Sequence, residues 1–251
     1  MDPDSDPFAP PPAVAAASTT EAAARDANPQ YVLPLVVRIE RTAPPRRTDA
    51  LETAARAVLT FLADPRSTEP DGEWTALVDA WTDGRIRKVV RRARGAEWTR
   101  AEALPGITVA GPAAADDPAQ VRVFPPVPLD GWPKDLARLQ VSGTDLTDAE
   151  PPPPVTPGTI PILWLNPELD MTAGKAMAQV GHAAQIAWWQ LTDAQRKAWA
   201  AADFPLAVRT APREAWPALV DSGRPLVRDA GFTEIAPGSC TAVADLPALQ
   251  H

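Results

Sequence analysis

The sequence repeats itself. PLVVRI from Pro34 aligns with PILWLN from Pro161 at an offset of 127 residues, and the same offset carries the Ala-rich stretch through Leu51, Ala55, Leu59 and Leu62 onto the one through Ala178, His182, Ile186 and Trp189. A second block, at an offset of 118, sets Ala80 and Trp81 on Ala198 and Trp199, and Arg91, Ala93 and Trp98 on Arg209, Ala211 and Trp216. The offsets differ because the first copy is longer between its blocks, where ADPRSTEPDG from Ala63 supplies a loop. Each copy reads strand, helix, second helix, strand, helix, and then a further strand, VRVF from Val121 in the first and CTAVADL from Cys240 in the second. Such alternation predicts two similar small α/β domains, each a sheet covered by helices.

Proline sets the boundaries. The chain carries 31 Pro against 13 Gly in 251 residues, so long stretches are neither helix interior nor central strand. Residues 1–30 mix Pro, Ala, Asp and Ser with almost no large apolar side chain and are expected to form a disordered tail. The first domain is expected over 31–130 and the second over 159–251. Between them, 131–158 reads as a Pro-rich linker, with the run Pro151 to Pro154 favouring extended polyproline II geometry.

Composition excludes several function classes. Nine Trp and 45% hydrophobic residues rule out a wholly disordered chain, and a net charge of -8 argues against indiscriminate coating of nucleic acid or anionic membrane. Cys240 is the single cysteine, so no intrachain disulfide forms; His182 and His251 are the two histidines, too few for a Cys/His zinc site. No metal or cofactor is expected. No apolar run approaches the ~20 residues that a spanning helix needs, and MDPDSDPFAPPP lacks the positive region of a signal peptide. The expectation is a cytoplasmic protein without a membrane partner.

Two segments carry candidate chemistry. Met171 to His182 follows the apolar strand ILWL and opens the first helix of the second copy. At 100° per residue, Lys175, Gln179 and His182 lie within about 60° of one another, so one face carries a cation, an amide and an imidazole. Gly174 and Gly181 leave room for close approach of a backbone or a ligand, and the amino end of the helix offers N-H groups to a phosphate or carboxylate. The second segment, Asp229 to Thr241, sets Asp229, Thr233, Ser239 and Thr241 around turns at Gly231 and Pro237-Gly238. A hairpin loop between strands is its simpler reading.

At these two segments the sequence resembles the type II peptidyl-tRNA hydrolase family, whose motifs read approximately Met-x-x-Gly-Lys-x-Ala-Ala-Gln-x-x-His-Ala and Asp-Ala-Gly-x-Thr-x-Ile-x-Pro-Gly-Ser-x-Thr. The resemblance covers about Thr159 to Leu246. It implies a mixed sheet of about four strands and metal-independent hydrolysis of the ester between a peptide and the 3′ ribose of tRNA. It maps the family residues onto Lys175, Gln179, His182, Asp229, Thr233, Ser239 and Thr241. In that reading Lys175, His182, Asp229 and Thr233 are catalytic, with either Asp229 or His182 accepting the proton of the attacking water. Gly174, Gln179, Ser239 and Thr241 then bind substrate. The sequence departs from the family pattern at Asn166, where an Arg is usual, and at Phe232, where a basic residue is common.

The first copy lacks this set: at offset 127 the positions of Lys175, Gln179 and His182 hold Thr48, Glu52 and Ala55. It is expected to be a degenerate hydrolase-like copy that supports the second, as an intramolecular pseudo-dimer or within a homodimer. Its basic stretch GRIRKVVRRARG crowds Arg85, Arg87, Lys88, Arg91, Arg92 and Arg94 onto a strand and its flanks. Arg91 and Arg92 are therefore candidate contacts to a tRNA backbone, against a plain edge strand guarded by charge. The expected partner is peptidyl-tRNA. A catalytically inactive tRNA- or RNA-binding protein of the same fold is the alternative, and a protein-interaction adaptor a third.

Overall fold

The computed structural model describes residues 29–112, 117–229 and 238–247. The expected tail over 1–30 lies, apart from Pro29 and Gln30, outside them.

Strand β1 (Tyr31–Arg38) is YVLPLVVR, and its residues from Val32 to Val37 are all buried. An unbroken apolar run of this kind belongs to a strand covered on both faces. It is followed by α1 (Arg47–Ala63), the short α2 (Pro65–Thr68), α3 (Thr75–Thr82), β2 (Arg87–Ala93), α4 (Gly95–Glu102), β3 (Ile107–Ala110), β4 (Gln120–Val123), β5 (Val127–Pro128) and α5 (Lys134–Ala137). The second half runs β6 (Ile162–Leu165), α6 (Ala173–Gln190), α7 (Asp193–Ala201), β7 (Ala207–Thr210), α8 (Trp216–Val220), β8 (Leu226–Arg228) and β9 (Cys240–Asp245).

The repeat extends to topology. The first sheet has the order β2-β1-β4-β3, with β5 also pairing β1, and the second has the order β7-β6-β9-β8. In each, the first strand runs parallel to the second and antiparallel to β4 or β9, and a short strand, β3 or β8, pairs antiparallel with that same β4 or β9. These are two mixed α/β sheets of five and four strands, packed with helices. The strands over Val121 and Cys240 are present as β4 and β9; β3 and β8 are additions to the sequence reading.

One core spans both copies. Leu33 and Leu35 of β1, Leu51, Val58 and Phe61 of α1, Leu163 of β6, and Met177 and Val180 of α6 belong to a single cluster of buried side chains. Helix α1 packs on α6, and each also reaches the other copy's second strand, α1 to β7 and α6 to β2. That reciprocity is the packing of an internal pseudo-dimer. The outer faces of the sheets carry smaller clusters, around Trp98, Phe124 and Leu136 in the first copy and around Trp216, Cys240 and Val243 in the second.

Neither long helix caps itself. The N-cap residues Arg46 and Thr172 make no side-chain capping bond. Both caps come instead from one strap in the stretch 131–158. The Ala173 amide donates to the Thr144 carbonyl at 3.1 Å and the Gly174 amide to the Thr144 hydroxyl at 3.1 Å. At α1, the Thr48 amide donates to Asp148 Oδ1 at 3.0 Å and the Thr48 hydroxyl to Asp148 Oδ2 at 2.6 Å. Leu146, between them, is buried in the shared core. Four residues of chain reach at most ~14 Å, so the amino ends of the two helices lie side by side beneath the strap. No described helix is long and apolar enough to cross a membrane.

Candidate functional site

Helix α6 is buried on most of its circumference, and Lys175, Ala178, His182 and Ile186 form its partly exposed stripe. From this stripe the predicted residues diverge. Gln179 turns to the second copy's own sheet, where its Oε1 accepts a 2.7 Å hydrogen bond from the Thr241 hydroxyl on β9. Thr241 is fully buried, and the Val227 carbonyl of β8 lies 3.3 Å from the same hydroxyl. The helix segment and the carboxyl-terminal segment therefore meet at a seam between α6 and the β8–β9 hairpin.

Asp229 leaves β8 at the end of that hairpin and is buried. Its amide donates to the Ser239 carbonyl at 2.9 Å and its carbonyl accepts from the Gly238 amide at 2.8 Å. These bonds tie the two ends of the stretch 230–237 together; Thr233 and Phe232 lie outside the described residues. Asn166 ties the neighbouring turn to β9: its amide and its side-chain Nδ2 donate to the carbonyls of Thr241 and Cys240 at 3.0 and 2.8 Å, while its Oδ1 accepts from the Glu168 amide at 2.8 Å. Where the family pattern has a guanidinium, this chain has an amide used as a brace. Burial pushes the Cys240 thiol above its ordinary value, partly offset by Arg228.

Gly174 and Gly181 both admit the chain itself. A Cβ on Gly174 would stand 2.8 Å from the Thr144 hydroxyl, and one on Gly181 would stand 3.1 Å from Val58 Cγ2 and 3.2 Å from Lys88 Cδ. The strap thus takes the first amides of α6, which the sequence had suggested for a phosphate or carboxylate. Lys175 lies one turn before Gln179, about 6 Å along the helix axis, and is partly exposed.

His182 faces the first copy. Its Nδ1 lies 3.3 Å from Lys88 Nζ on β2. Burial, with the Lys88 charge as the lesser cause, holds the imidazole well below its ordinary 6.5, and burial likewise pushes the Lys88 amine well below 10.5. The two nitrogens face one another in a setting that disfavours charge on either.

The basic stretch is not a uniform face. Lys88 shares the inward side of β2 with Val90 and is buried. Arg91 reaches the carbonyls of Ala137, at 3.1 Å, and Leu139, and lies over the Trp132 ring at 4.3 Å. Arg92 donates to the Ser142 carbonyl at 2.9 Å and to Gln140 Oε1, while its backbone pairs with Gln140. Both guanidinium groups bind the segment after α5 onto the free edge of β2, so these contacts serve the fold.

The first copy's residues at the motif positions have interface roles. Thr48 binds Asp148, Ala55 is buried, and Glu52 Oε1 accepts from Arg209 Nη1 at 2.7 Å and from the Val208 amide at 3.1 Å on β7. Sequence reasoning missed Thr144, Gln185 and the inward Lys88; strand parity alone would have turned Lys88 inward with Val90. A recess lined by Gln190, Ser222, Arg224 and Leu246 opens near the start of β8 and holds none of the predicted site residues. Comparison with protein-family models finds no match to this sequence, and comparison with curated proteins finds none.

Proposed function

We propose that this chain hydrolyses the ester bond of peptidyl-tRNA, releasing the peptide and free tRNA, as its resemblance to type II peptidyl-tRNA hydrolases suggests. The observation that carries the reading is the seam at Gln179 and Thr241, which joins the two segments that bear the resemblance. Water adds to the ester carbonyl carbon while Asp229 takes its proton. Lys175, on the partly exposed stripe of α6, stabilises the tetrahedral oxyanion. Collapse of that species breaks the bond to the ribose 3′ oxygen, which leaves with the proton held by Asp229. Ser239 and Thr233 orient the acid. The base role falls to Asp229 rather than His182 because the His182 Nδ1 is engaged by Lys88.

Release of an N-acetylated amino acid from charged tRNA tests the proposal. Lys175→Ala and Asp229→Asn are each expected to slow release about 100-fold, the usual loss when one such group is removed. Equal rates in wild type and both variants reject the site. A second reading, an RNA-binding protein without turnover, is favoured by the strap's hold on the first amides of α6; tRNA binding without ester cleavage selects it.

A further inference from the structure

Of the four lysines, Lys134 and Lys197 are exposed and Lys175 is partly so, whereas Lys88 is buried. Its stem crosses α6 where Gly181 lacks a side chain, and its amine lies 4.8 Å from the centre of the Trp81 ring. The groups around Nζ are the Ile86 carbonyl at 3.4 Å, His182 Nδ1 at 3.3 Å and Gln185 Oε1. Its contacts among the described residues include no carboxylate. An ammonium buried without a counter-ion is strongly destabilised, and a neutral amine there is a nucleophile.

A second observation concerns the same spot. Gln185 is fully buried, and while its Oε1 faces the amine, its Nε2 has no hydrogen-bond partner among the described residues. A buried amide donor left unpaired is destabilising. The cluster thus holds an uncompensated amine, an imidazole within proton-transfer distance, and a donor that lacks an acceptor. All three conditions are answered by one small anionic group attached to the amine.

We propose that Lys88 is a carbon dioxide-binding site, in which Nζ forms a carbamate with His182 taking the proton and Gln185 Nε2 donating to the carbamate. The Nζ lone pair adds to the carbon of CO2, a carbon–oxygen π pair moves onto oxygen, and an Nζ proton passes to His182 Nδ1. A neutral amine, a neutral imidazole and CO2 become a carbamate anion beside an imidazolium, so atoms and charge balance with no further reactant. The carbamate anion is the counter-ion of the imidazolium formed beside it and the acceptor for Gln185 Nε2. CO2 is small, uncharged and apolar, and His182 is the member of the cluster that is partly open to the surface. Burial favours the reactive form of the amine, since each unit by which an amine's pKa falls raises its neutral fraction about tenfold. The inference is independent of the hydrolase reading.

The experiment uses the full wild-type chain, equilibrated with CO2 and bicarbonate at neutral pH and quenched with triethyloxonium, which converts a carbamate to a stable ethyl carbamate. Peptide mass spectrometry then compares all four lysines. Lys88 is expected to carry the ethyl carbamate severalfold above Lys134, Lys175 and Lys197, because burial raises the neutral fraction of its amine. Lys88→Arg should abolish that label, and Gln185→Leu should reduce it without changing the others. Equal labelling of the four lysines, or no label at Lys88, overturns the proposal, and this comparison within the wild type stands even where a variant fails to fold.

Discussion

Thr241→Val on β9 keeps the branched shape of the side chain and removes the hydroxyl that bonds Gln179. Gln179 is 8% exposed and Thr241 fully buried, so water does not replace the 2.7 Å bond. A buried acceptor orphaned in this way costs about 1–3 kcal/mol. The 3.3 Å approach to the Val227 carbonyl adds little, because the hydroxyl has one proton to donate. A mid-range loss of about 2 kcal/mol lowers the thermal midpoint of a chain this size by about 4–8 °C. Gln179→Leu alone should lose a similar amount. The double variant should recover most of the loss, since removing both partners leaves no unpaired group. Urea unfolding of the four proteins at one pH measures the coupling. Losses that add to within about 0.5 kcal/mol would show that the two side chains do not bond, and the seam on which the proposed site rests would be gone.

Three further outcomes are expected. Asp148→Ala removes the cap of α1 and should destabilise the chain by about 1–2 kcal/mol, with Asp148→Asn restoring most of it; unchanged urea midpoints would refute the strap's capping role. In CO2-free buffer, stability should fall as pH drops below 6.5, because the unfolded His182 binds a proton that the folded one, held below that value, refuses. Because burial is the larger cause, Lys88→Met should leave most of that slope in place in urea titrations across the same range, and a slope abolished with Lys88 would refute burial as its origin. Arg92→Ala frees the segment around Gln140 from the edge of β2, so trypsin should cut at the exposed Arg138 faster than in wild type; equal cutting rates would show that the guanidinium does not hold it.

The repeat was legible because it lives in buried positions. Val36, Trp81, Trp98, Trp199 and Trp216 are core residues, and core residues are what two diverged copies share. Strands β3 and β8 were not legible: β3 has no buried residue to mark an inward face, and β8 is three residues long. The caps were invisible for a different reason. Asp148 lies 100 residues from Thr48, so nothing local to α1 announces it, and the stretch 131–158 reads in sequence as a connector. Of the candidate site, the sequence motifs mark out the two segments that meet at Gln179 and Thr241 but not the bond between those side chains, and the turn of His182 toward Lys88 depends on a strand of the other copy. Arg91 and Arg92 illustrate the limit of charge reading, since a run of cations does not say whether carbonyls of the same chain already receive them.

The two crossings between the copies are chemically unlike. Glu52 meets Arg209 and Val208 at one, and Lys88 meets His182 and Gln185 at the other. In a homodimer every substitution is duplicated by the symmetry axis, so a change tolerable at one junction must be tolerable at both. Joining the halves in a single polypeptide lifts that restriction and makes their encounter unimolecular, beyond the reach of dilution. Each junction is then free to evolve alone, which is how one half can become pure scaffolding while its twin keeps, or acquires, reactive groups.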